Sequence, residues 1–304
     1  MKLAPKKIAK AQPGGRPPGA VEIAPEGVLA AAVSTSGEQH SYAFVSLTPG
    51  ALVPSIDSTN LLVPDAVSAA IRSALGHVAP RKRAVTLVLP DTLVRVFILD
   101  FDSVPTKQAE AVSVVRFRLR KMVPFDVESA GVSYQVISQG EAECKVLVAV
   151  IPGPVLTEYE LAVRDAGYEP GAVLSSSLAA LEAIDGMEAV MAANLSSLAI
   201  TTTITNGQDL LLYRTIDLPP EPTPRLGEIQ RSIAVAAAYY EDKLGARPRR
   251  LRYAGIAPGS QFAQDLADPE FEVVEWVARP GTGNTTTLPQ VSFAGVTGAL
   301  VGAG

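Results

Sequence analysis

The sequence predicts an α/β protein built from two similar halves that face each other across a cleft, with an extra small α/β unit between them. A run of three short strands followed by helix and strand elements occurs near the start of the chain and again after residue 187. Hydrophobic residues make up 47% of the 304 residues and charged residues 19%, so the chain can bury a sizeable core. This composition excludes a disordered chain.

The first half is predicted to begin near Ala20 with an antiparallel meander. Its strands cover 21–23, 28–33 and 42–47, broken by turns at 25–27 and 36–38. A helix over 64–77 follows, because Pro64 suits a first-turn position and apolar residues recur every four positions from Val67. The mostly apolar run 84–89 is typical of a buried parallel strand, and alternating apolar residues at 94–98 follow the Pro90-Asp91 turn.

The extra unit is predicted over 103–151. A helix over 106–122 leads to a strand at 132–137, and the Gly140 turn leads to a second strand at 143–151. Two helices then complete the first half within 152–186. They are expected over 157–166, ended by Gly167 in its usual left-handed role, and over 175–184.

The second half is predicted over 187–304. Asn206-Gly207 forms the tight turn of its clearest hairpin. The remaining elements are, in order, strands at 188–194, 198–205 and 210–216, a proline-rich linker at 219–224, a helix at 226–244, a strand at 250–254, a helix at 260–266, a strand at 272–276 and a terminal helix at 292–300.

A duplicated three-stranded meander joined to parallel strands and helices is the plan of the actin-like fold, whose halves face a nucleotide cleft. The sequence therefore predicts five parts: a flexible basic tail (1–19), a first half (20–102), an inserted α/β subdomain (103–151), helices completing the first half (152–186) and a second half (187–304).

Charge and cysteine content limit the function classes. A formal net charge of −5 offers no general basic surface for nucleic acid. The single cysteine, Cys144, lies in an apolar run and is expected to be a buried small hydrophobe, with a reactive thiol as the alternative. Because one cysteine cannot form an internal disulfide, a reducing cytosol is the expected compartment. The tail 1–19 carries basic and no acidic residues, which indicates a solvated leader or a weak contact with anionic lipid.

Other chemistry finds little support. His77 at a helix end is interpreted as a cap and His40 as a solvated turn residue, so no zinc spacing remains. Asp100 and Asp102 could form a carboxylate pair on one side of a strand, but solvated turn residues are the simpler interpretation. The sequence contains no P-loop and no nucleophile elbow.

The segment VRFRLRKMVPFD at 115–126 carries the most information. Pro124 is expected to end the helix and let Phe125 fold back onto it, and Tyr134 supplies an aromatic residue in the next strand. The segment resembles the signature of the PilM family of type IV pilus assembly proteins. Residues 146–168 and 293–300 are similar to further family stretches. The cytoplasmic actin-like part of type II secretion platform proteins is a related resemblance.

The resemblance to PilM implies a cytoplasmic scaffold or adaptor recruited to the inner face of the inner membrane. Its implied partners are the cytoplasmic N-terminal peptide of a PilN-like inner-membrane protein, bound in a groove between the extra subdomain and the first half, and other pilus machine components. No nucleic acid is implied, and membrane contact is only indirect. The peptide-binding residues carried over are Arg116, Arg120, Val123, Pro124, Phe125 and Tyr134. From spacing alone, 115–122 is equally an ordinary amphipathic surface helix.

The resemblance also implies ATP bound with magnesium by two loops of the pattern Asp, hydrophobe, Gly, Ser/Thr and by a glycine-containing adenosine loop. The sequence departs from this pattern in all three loops. In the first loop Glu22 stands in place of the Asp and Ala24 in place of the Gly. In the second loop Asn194 replaces the Asp and Ser196 the Gly, although the hydroxyls of Ser196 and Ser197 could still donate to a phosphate. The third loop should have paired glycines and keeps only Gly255 and Gly259.

Pro25 removes a donor N–H from the first loop, and Glu26 places a carboxylate beside the expected phosphate. We expect a pseudo-ATPase without a cofactor. The alternatives are an ATP-binding protein of a type II secretion platform or a nucleotide-regulated assembly factor. A sugar-kinase-like phosphotransferase and a filament-forming protein are the other classes that share the fold.

Overall fold

The computed structural model describes residues 15–33, 40–140, 143–184, 186–268, 270–277, 291–301 and 303. Most of the predicted tail and the turn predicted at 36–38 lie outside the described residues. Among the described residues, no helix is both long enough and apolar enough to span a membrane.

The first part of the chain forms two sheets and four helices. In chain order its elements are β1 (Gly19–Ala24), β2 (Gly27–Val33), β3 (His40–Ser46), α1 (Pro64–Val78), β4 (Ala84–Leu89), β5 (Arg95–Phe101), α2 (Gln108–Leu119), β6 (Gly131–Gln139), β7 (Cys144–Ile151), α3 (Gly153–Asp165), β8 (Glu169–Ser175) and α4 (Ser176–Leu181).

The last part forms the second large sheet. Its elements are β9 (Ala189–Leu195), β10 (Ala199–Asn206), β11 (Asp209–Asp217), α5 (Pro222–Leu244), β12 (Arg250–Gly255), α6 (Gly259–Leu266), β13 (Glu272–Glu275) and α7 (Ala294–Ala299).

The two large sheets share one topology. The first has the order β3-β2-β1-β4-β8 and the second the order β11-β10-β9-β12-β13. In each sheet three antiparallel strands are followed by two strands that pair in parallel. The predicted duplication is therefore present, and it is expressed as two sheets of identical strand order.

The inserted unit is a three-stranded antiparallel sheet of order β5-β7-β6, with α2 packed on it. Its core contains Leu99, Val115, Leu119, Val146 and Val148, all buried. The insert was predicted to begin at 103, but β5 pairs with β7 and belongs to this sheet. The predicted boundary lies too late because β5 and its partner are separated by a helix and a strand, so their pairing leaves no local signal.

Two further elements differ from the prediction. The structure contains a strand, β8, between the two predicted helices, where no element was predicted. It is the edge strand next to β4, and the register shifts opposite Val85 and Thr86 so that Gly171 is bulged. An edge strand tolerates proline, because the missing N–H need not face a neighbouring strand. Likewise α5 begins at Pro222, so the predicted linker 219–224 supplies the helix's first turn.

The terminal helix α7 crosses from the second half to the first. It packs against α4 and contacts β1, β2 and β4. Its Gly295 has no room for a side chain, since a Cβ there would lie 2.6 Å from a carboxylate oxygen of Glu22 and 2.7 Å from the Ser176 hydroxyl. The C-terminal helix thus lies directly against the base of the predicted cleft.

Candidate functional site

A cavity lies between the halves where the sequence predicted a nucleotide cleft. It is lined by the β1–β2 turn, the end of β4, the start of α4, the β9–β10 turn and the segment before α7. The volume of the cavity that the centres of water molecules can occupy is about 40 Å³. That is room for a few water molecules, against the several hundred Å³ of pockets that hold drug-sized ligands.

Glu22 points into this cavity from β1. Its oxygen Oε2 is buried and has no hydrogen-bond partner among the described residues. Burial raises the pKa of Glu22 to about 8, and the nearby carboxylates of Asp91 and Glu26 add to that rise, while the Ser176 hydroxyl opposes it. At neutral pH the position that should hold a metal-binding carboxylate therefore favours its neutral form.

The rest of the first loop is also unsuited to a phosphate. Pro25 and Glu26 form a two-residue turn between paired Ala24 and Gly27, and the Glu26 carbonyl accepts a hydrogen bond from the Leu47 N–H. Gly27 is required for packing, since a Cβ there would lie 2.6 Å from the Phe44 ring and would meet the backbone of β3. The glycine of this loop therefore accommodates a neighbouring strand.

The second loop uses its polar groups internally. The Ser196 hydroxyl accepts hydrogen bonds from the Leu198 N–H (3.2 Å) and the Ala199 N–H (2.9 Å), and the Ser196 N–H donates to the Ala199 carbonyl (2.9 Å). From outside, Arg225 of α5 donates to the carbonyls of Ser196 (2.8 Å) and Ser197 (2.7 Å). Three of the backbone donors that a phosphate would need are thus occupied.

Asn194, predicted to replace the metal-holding aspartate, is buried and fully engaged. Its amide nitrogen donates to the hydroxyls of Ser176 (3.2 Å) and Ser177 (3.1 Å), and its amide oxygen accepts from Ser292 (2.9 Å). These contacts join β9 of the second half to α4 and to the segment before α7. Asn194 therefore acts as a bridge between elements on the two sides of the cavity.

The third loop lies at the end of β12. The Gly259 N–H, at the start of α6, donates to the Glu275 carboxylate of β13 at 2.7 Å. A carboxylate at a helix N-terminus is favourable, and here it occupies the place where an anionic ligand would bind. Gly255 is closely packed, since a Cβ would lie 2.7 Å from the Tyr253 ring and 3.0 Å from Leu195.

Asp91 is the cleft residue that sequence reasoning missed. It follows β4, and its carboxylate accepts from the Ser177 N–H (2.9 Å) and from three hydroxyls, those of Ser177, Thr201 (2.9 Å) and Tyr213 (3.2 Å). Thr201 and Tyr213 belong to the second half, so one first-half carboxylate joins the two halves. Burial, followed by the charge of Asp91, raises the pKa of Tyr213 well above its usual value.

The cavity as a whole concentrates carboxylates. Glu22, Glu26 and Asp91 line it, and Arg225 is a cation near Glu26. Burial lowers the pKa of Arg225 and the Glu26 charge opposes that change. Within the described ranges, no cluster of three or more Asp, Glu, His or Cys side chains is placed to hold a metal ion. The residues present do not fit magnesium-bound ATP.

The second predicted site lies in the inserted unit. Arg116 of α2 donates to the carbonyls of Val127, Glu128 (3.3 Å) and Ala130 (2.9 Å), so it holds the loop between α2 and β6. Arg120 forms an ion pair with Glu128 at 2.6 Å. Both arginines therefore bind their own subdomain, and Arg116 in particular acts as a positioning residue.

The apolar members of that predicted site are close to the insert's core. Val123, Phe125 and Tyr134 are partly buried against it, whereas Pro124 is exposed. The start of β6 abuts the first half, since a Cβ at Gly131 would lie 2.8 Å from Leu156 of α3. The predicted Pro-Phe step thus leads into the junction of the insert with the first half.

The remaining polar predictions are resolved by ordinary contacts. Asp100 forms an ion pair with Lys145 on the neighbouring strand at 2.8 Å. The His77 ring lies 2.7 Å from the Ser73 carbonyl, in the last turn of α1. Cys144 is buried, and burial raises the pKa of its thiol, with Asp100 and Asp102 contributing.

Two five-stranded sheets of one topology facing a cavity define the class of this protein as the actin-like fold, as predicted. Neither a protein-family model nor a curated protein sequence matches the chain. Several solved structures, however, are similar to it.

A chain of the PilM–PilN type IV pilus biogenesis complex is 18% identical, with a TM-score of 0.69 over 93% of this chain and 96% of that chain. The cytoplasmic domain of EpsL, an inner membrane component of the type II secretion system of Vibrio cholerae, is 14% identical, with a TM-score of 0.52 over 93% of this chain and 92% of that domain. Such coverage includes the insert as well as both halves. The predicted resemblance to PilM is confirmed at the level of the fold.

Proposed function

We propose that this protein is a non-enzymatic adaptor of a type IV pilus machine, which binds the cytoplasmic N-terminal segment of a PilN-like inner-membrane protein. The observation that carries the proposal is the end-to-end structural likeness to a chain of the PilM–PilN complex. Through such a partner the protein would be recruited to the inner face of the inner membrane and contact other pilus machine components.

The cleft supports a role without ATP turnover. Backbone donors of the second loop that a phosphate would need are used by the Ser196 hydroxyl and by the Ala199 carbonyl, and Glu26 adds an unfavourable carboxylate. A like-charge contact of this kind costs on the order of 4 kcal/mol per unit charge at an effective dielectric of about 20. The cleft of this pseudo-ATPase therefore serves as a structural junction between the halves.

The docking region we favour is the junction between the insert and the first half. Strand β6 is an edge of the three-stranded sheet. An extended peptide can add to such an edge by backbone hydrogen bonds, with pockets for alternate side chains. Val123, Phe125 and Tyr134 would supply apolar contacts to the peptide, and Pro124 would lie where the peptide enters the junction. Arg116 and Arg120 hold the loop between α2 and β6 in place.

Calorimetry tests both parts of this proposal. Synthetic peptides from the N-termini of PilN-like proteins of the source organism are expected to bind at micromolar strength, whereas ATP and ADP, with and without magnesium, are expected not to bind. Hydrogen exchange of the peptide complex should show protection confined to 123–125 and β6. Replacement of Tyr134 by Ala should weaken the peptide at least tenfold, while Met187→Ala, at an exposed site in the second half, should not.

Tight ATP binding without peptide binding would contradict the proposal. It would favour the alternative of an ATP-binding platform or nucleotide-regulated assembly protein, for which the likeness to the EpsL cytoplasmic domain is the supporting observation. Peptide binding that protects a different surface would retain the adaptor and reject the site. Thermal unfolding of Tyr134→Ala shows whether a weaker affinity reflects lost contact or lost fold.

A further inference from the structure

Helix α2 is apolar on two opposite sides. Its inner side buries Ala111, Val115 and Leu119, and the last two belong to the core of the insert. Its outer side carries Val114, which is 37% exposed, and Phe117, which is 72% exposed. Met122, just beyond the helix, is 40% exposed. A large aromatic ring this open to water beside other apolar side chains is typical of a contact surface.

The same outer side is strongly basic. Arg118 and Lys121 are exposed, and neither forms an ion pair or side-chain hydrogen bond within the described part of the chain. The Arg120 guanidinium lies 5.8 Å from the centre of the Phe117 ring while it pairs with Glu128. In a chain with a formal net charge of −5, this is a local concentration of positive charge around exposed apolar groups.

We propose that this α2 outer face, formed by Val114, Phe117, Arg118, Lys121 and Met122, binds the surface of a membrane that contains anionic phospholipids. Apolar side chains would insert at the headgroup boundary, and the basic side chains would bind the phosphate groups around them. This inference does not rest on the proposed partner, because it follows from the exposed face of α2 alone.

Charge and shape favour a bilayer over a peptide as the occupant. The backbone of α2 is hydrogen-bonded within the helix, so its outer side offers no sheet edge for an extended peptide. An amphipathic partner helix would need a continuous apolar seam to pack on, whereas the large exposed apolar residues of α2 are Val114 and Phe117, which have basic side chains beside them. An anionic membrane surface is complementary in charge and can receive side chains that project from a convex face.

The spacing of the exposed residues agrees with this geometry. Val114, Phe117 and Arg118 follow one another at intervals of three and one residues, so they line one side of α2, and the exposed Lys121 lies in the turn directly after the helix. Glu110 continues that line toward the helix start, and its charge is compensated by an ion pair with Lys107 at 3.0 Å. The repulsion that an anionic surface would meet on this face is therefore small.

Vesicle co-sedimentation of the full-length chain tests the proposal. Vesicles of phosphatidylcholine with 30% phosphatidylglycerol, roughly the charge of an anionic leaflet, are expected to bind the protein, and pure phosphatidylcholine vesicles are not. Binding should weaken between low and high salt because the attraction is electrostatic. The double variant Arg118→Glu/Lys121→Glu should lower the partition coefficient at least tenfold, and Phe117→Ser several-fold.

Matched controls lie in the second half. Arg231→Glu/Lys243→Glu makes the same change of charge at exposed positions of α5, and Met187→Ser removes an apolar side chain that is 78% exposed. Both should bind vesicles like the wild type. Because the tail also carries lysines, a variant with Lys6→Gln and Lys7→Gln is compared in parallel and should keep the dependence on α2.

Three results would overturn the proposal. The first is equal binding to neutral and anionic vesicles, or to neither, which would leave an acidic protein partner as the occupant. The second is that the α2 variants bind vesicles as strongly as the wild type while the tail variant binds none, which would assign the binding to the tail. The third is an equal loss in the α5 controls. Thermal unfolding confirms that each variant is folded, and the substituted α2 side chains are exposed, so their stability effects should be small.

Discussion

Glu22 and Asp91 are two carboxylates held in opposite ways inside one cavity. Asp91 accepts one backbone and three hydroxyl hydrogen bonds. Glu22 has a buried oxygen without a partner among the described residues, and burial raises its pKa to about 8. The raised pKa of Glu22 makes the stability of the fold depend on pH.

We predict that Glu22→Gln stabilises the protein at alkaline pH. The folded state keeps a proton on Glu22 that the unfolded chain, in which the pKa has its ordinary value of 4.5, releases. Wild-type stability therefore falls as pH rises from about 4.5 toward 8. A tenfold change in an acid dissociation constant corresponds to about 1.4 kcal/mol. Because the Glu22 side chain is partly open to water, the variant should gain only on the order of 2–3 kcal/mol at about pH 8.5.

Thermal unfolding from about pH 5 to about pH 8.5 measures this effect. The difference between Glu22→Gln and the wild type should shrink toward the acidic end, whereas the exposed Glu241→Gln should track the wild type throughout. A difference that does not vary with pH would show that Glu22 is not protonated in the folded protein at neutral pH.

Single residues also show what the sequence could reveal. Glu22, Ala24 and Asn194 were predicted at the cleft because they stand at the loop positions that the resemblance to actin-like proteins marks, and all three line the cavity. Asp91 was missed because its hydroxyl partners lie between 86 and 122 positions away along the chain. Nothing local marks a carboxylate whose role is defined by such distant residues.

Among the elements, local signals predicted the meanders well and distant pairings poorly. The β10–β11 hairpin follows from Asn206-Gly207, with Gly207 at a φ of 60°. The strand β8 contains Pro170 and Gly171 and is stabilised by its parallel pairing with β4, which no local pattern indicates. For the same reason β5 was assigned to the first half although its partner is β7.

At the level of the insert, we predict that Arg116→Met loosens the loop between α2 and β6. The substitution removes the donors to the Val127, Glu128 and Ala130 carbonyls while it keeps the apolar stem. Hydrogen bonds from a charged donor contribute about 1.5–3 kcal/mol, so the loss should be on the order of 2 kcal/mol.

Hydrogen exchange measures this local effect. Amides of 127–131 and of β6 should exchange faster in Arg116→Met. Arg118→Met, on the outer side of the same helix, should leave exchange unchanged, because its guanidinium forms no hydrogen bond or ion pair within the described residues. Equal exchange in both variants would mean that Arg116 does not hold the loop.

For the molecule as a whole, the cleft joins two halves of equal topology. Asp91 bonds Thr201 and Tyr213 across it, and Asn194 bonds Ser176 and Ser177. The helix α7 extends from the second half onto the sheet of the first. Side chains from both halves thus link the cleft of this actin-like fold, which is consistent with the proposed adaptor role.

We therefore predict that Asp91→Ala weakens the coupling between the halves. It leaves the hydroxyls of Ser177, Thr201 and Tyr213 without their acceptor, which should cost on the order of 2–4 kcal/mol. Asp91→Asn should lie between the alanine variant and the wild type, since the amide oxygen still accepts.

The distinguishing measurement is hydrogen exchange on both sides of the cavity. Loss of coupling should accelerate exchange together in α4 of the first half and in β10 and β11 of the second half. Asp217→Ala, a substitution at an exposed position at the end of β11, should leave exchange unchanged on both sides of the cavity. Faster exchange on one side only would show that Asp91 stabilises its own half. In that case the packing of α7 across the first sheet would be what holds the two halves together.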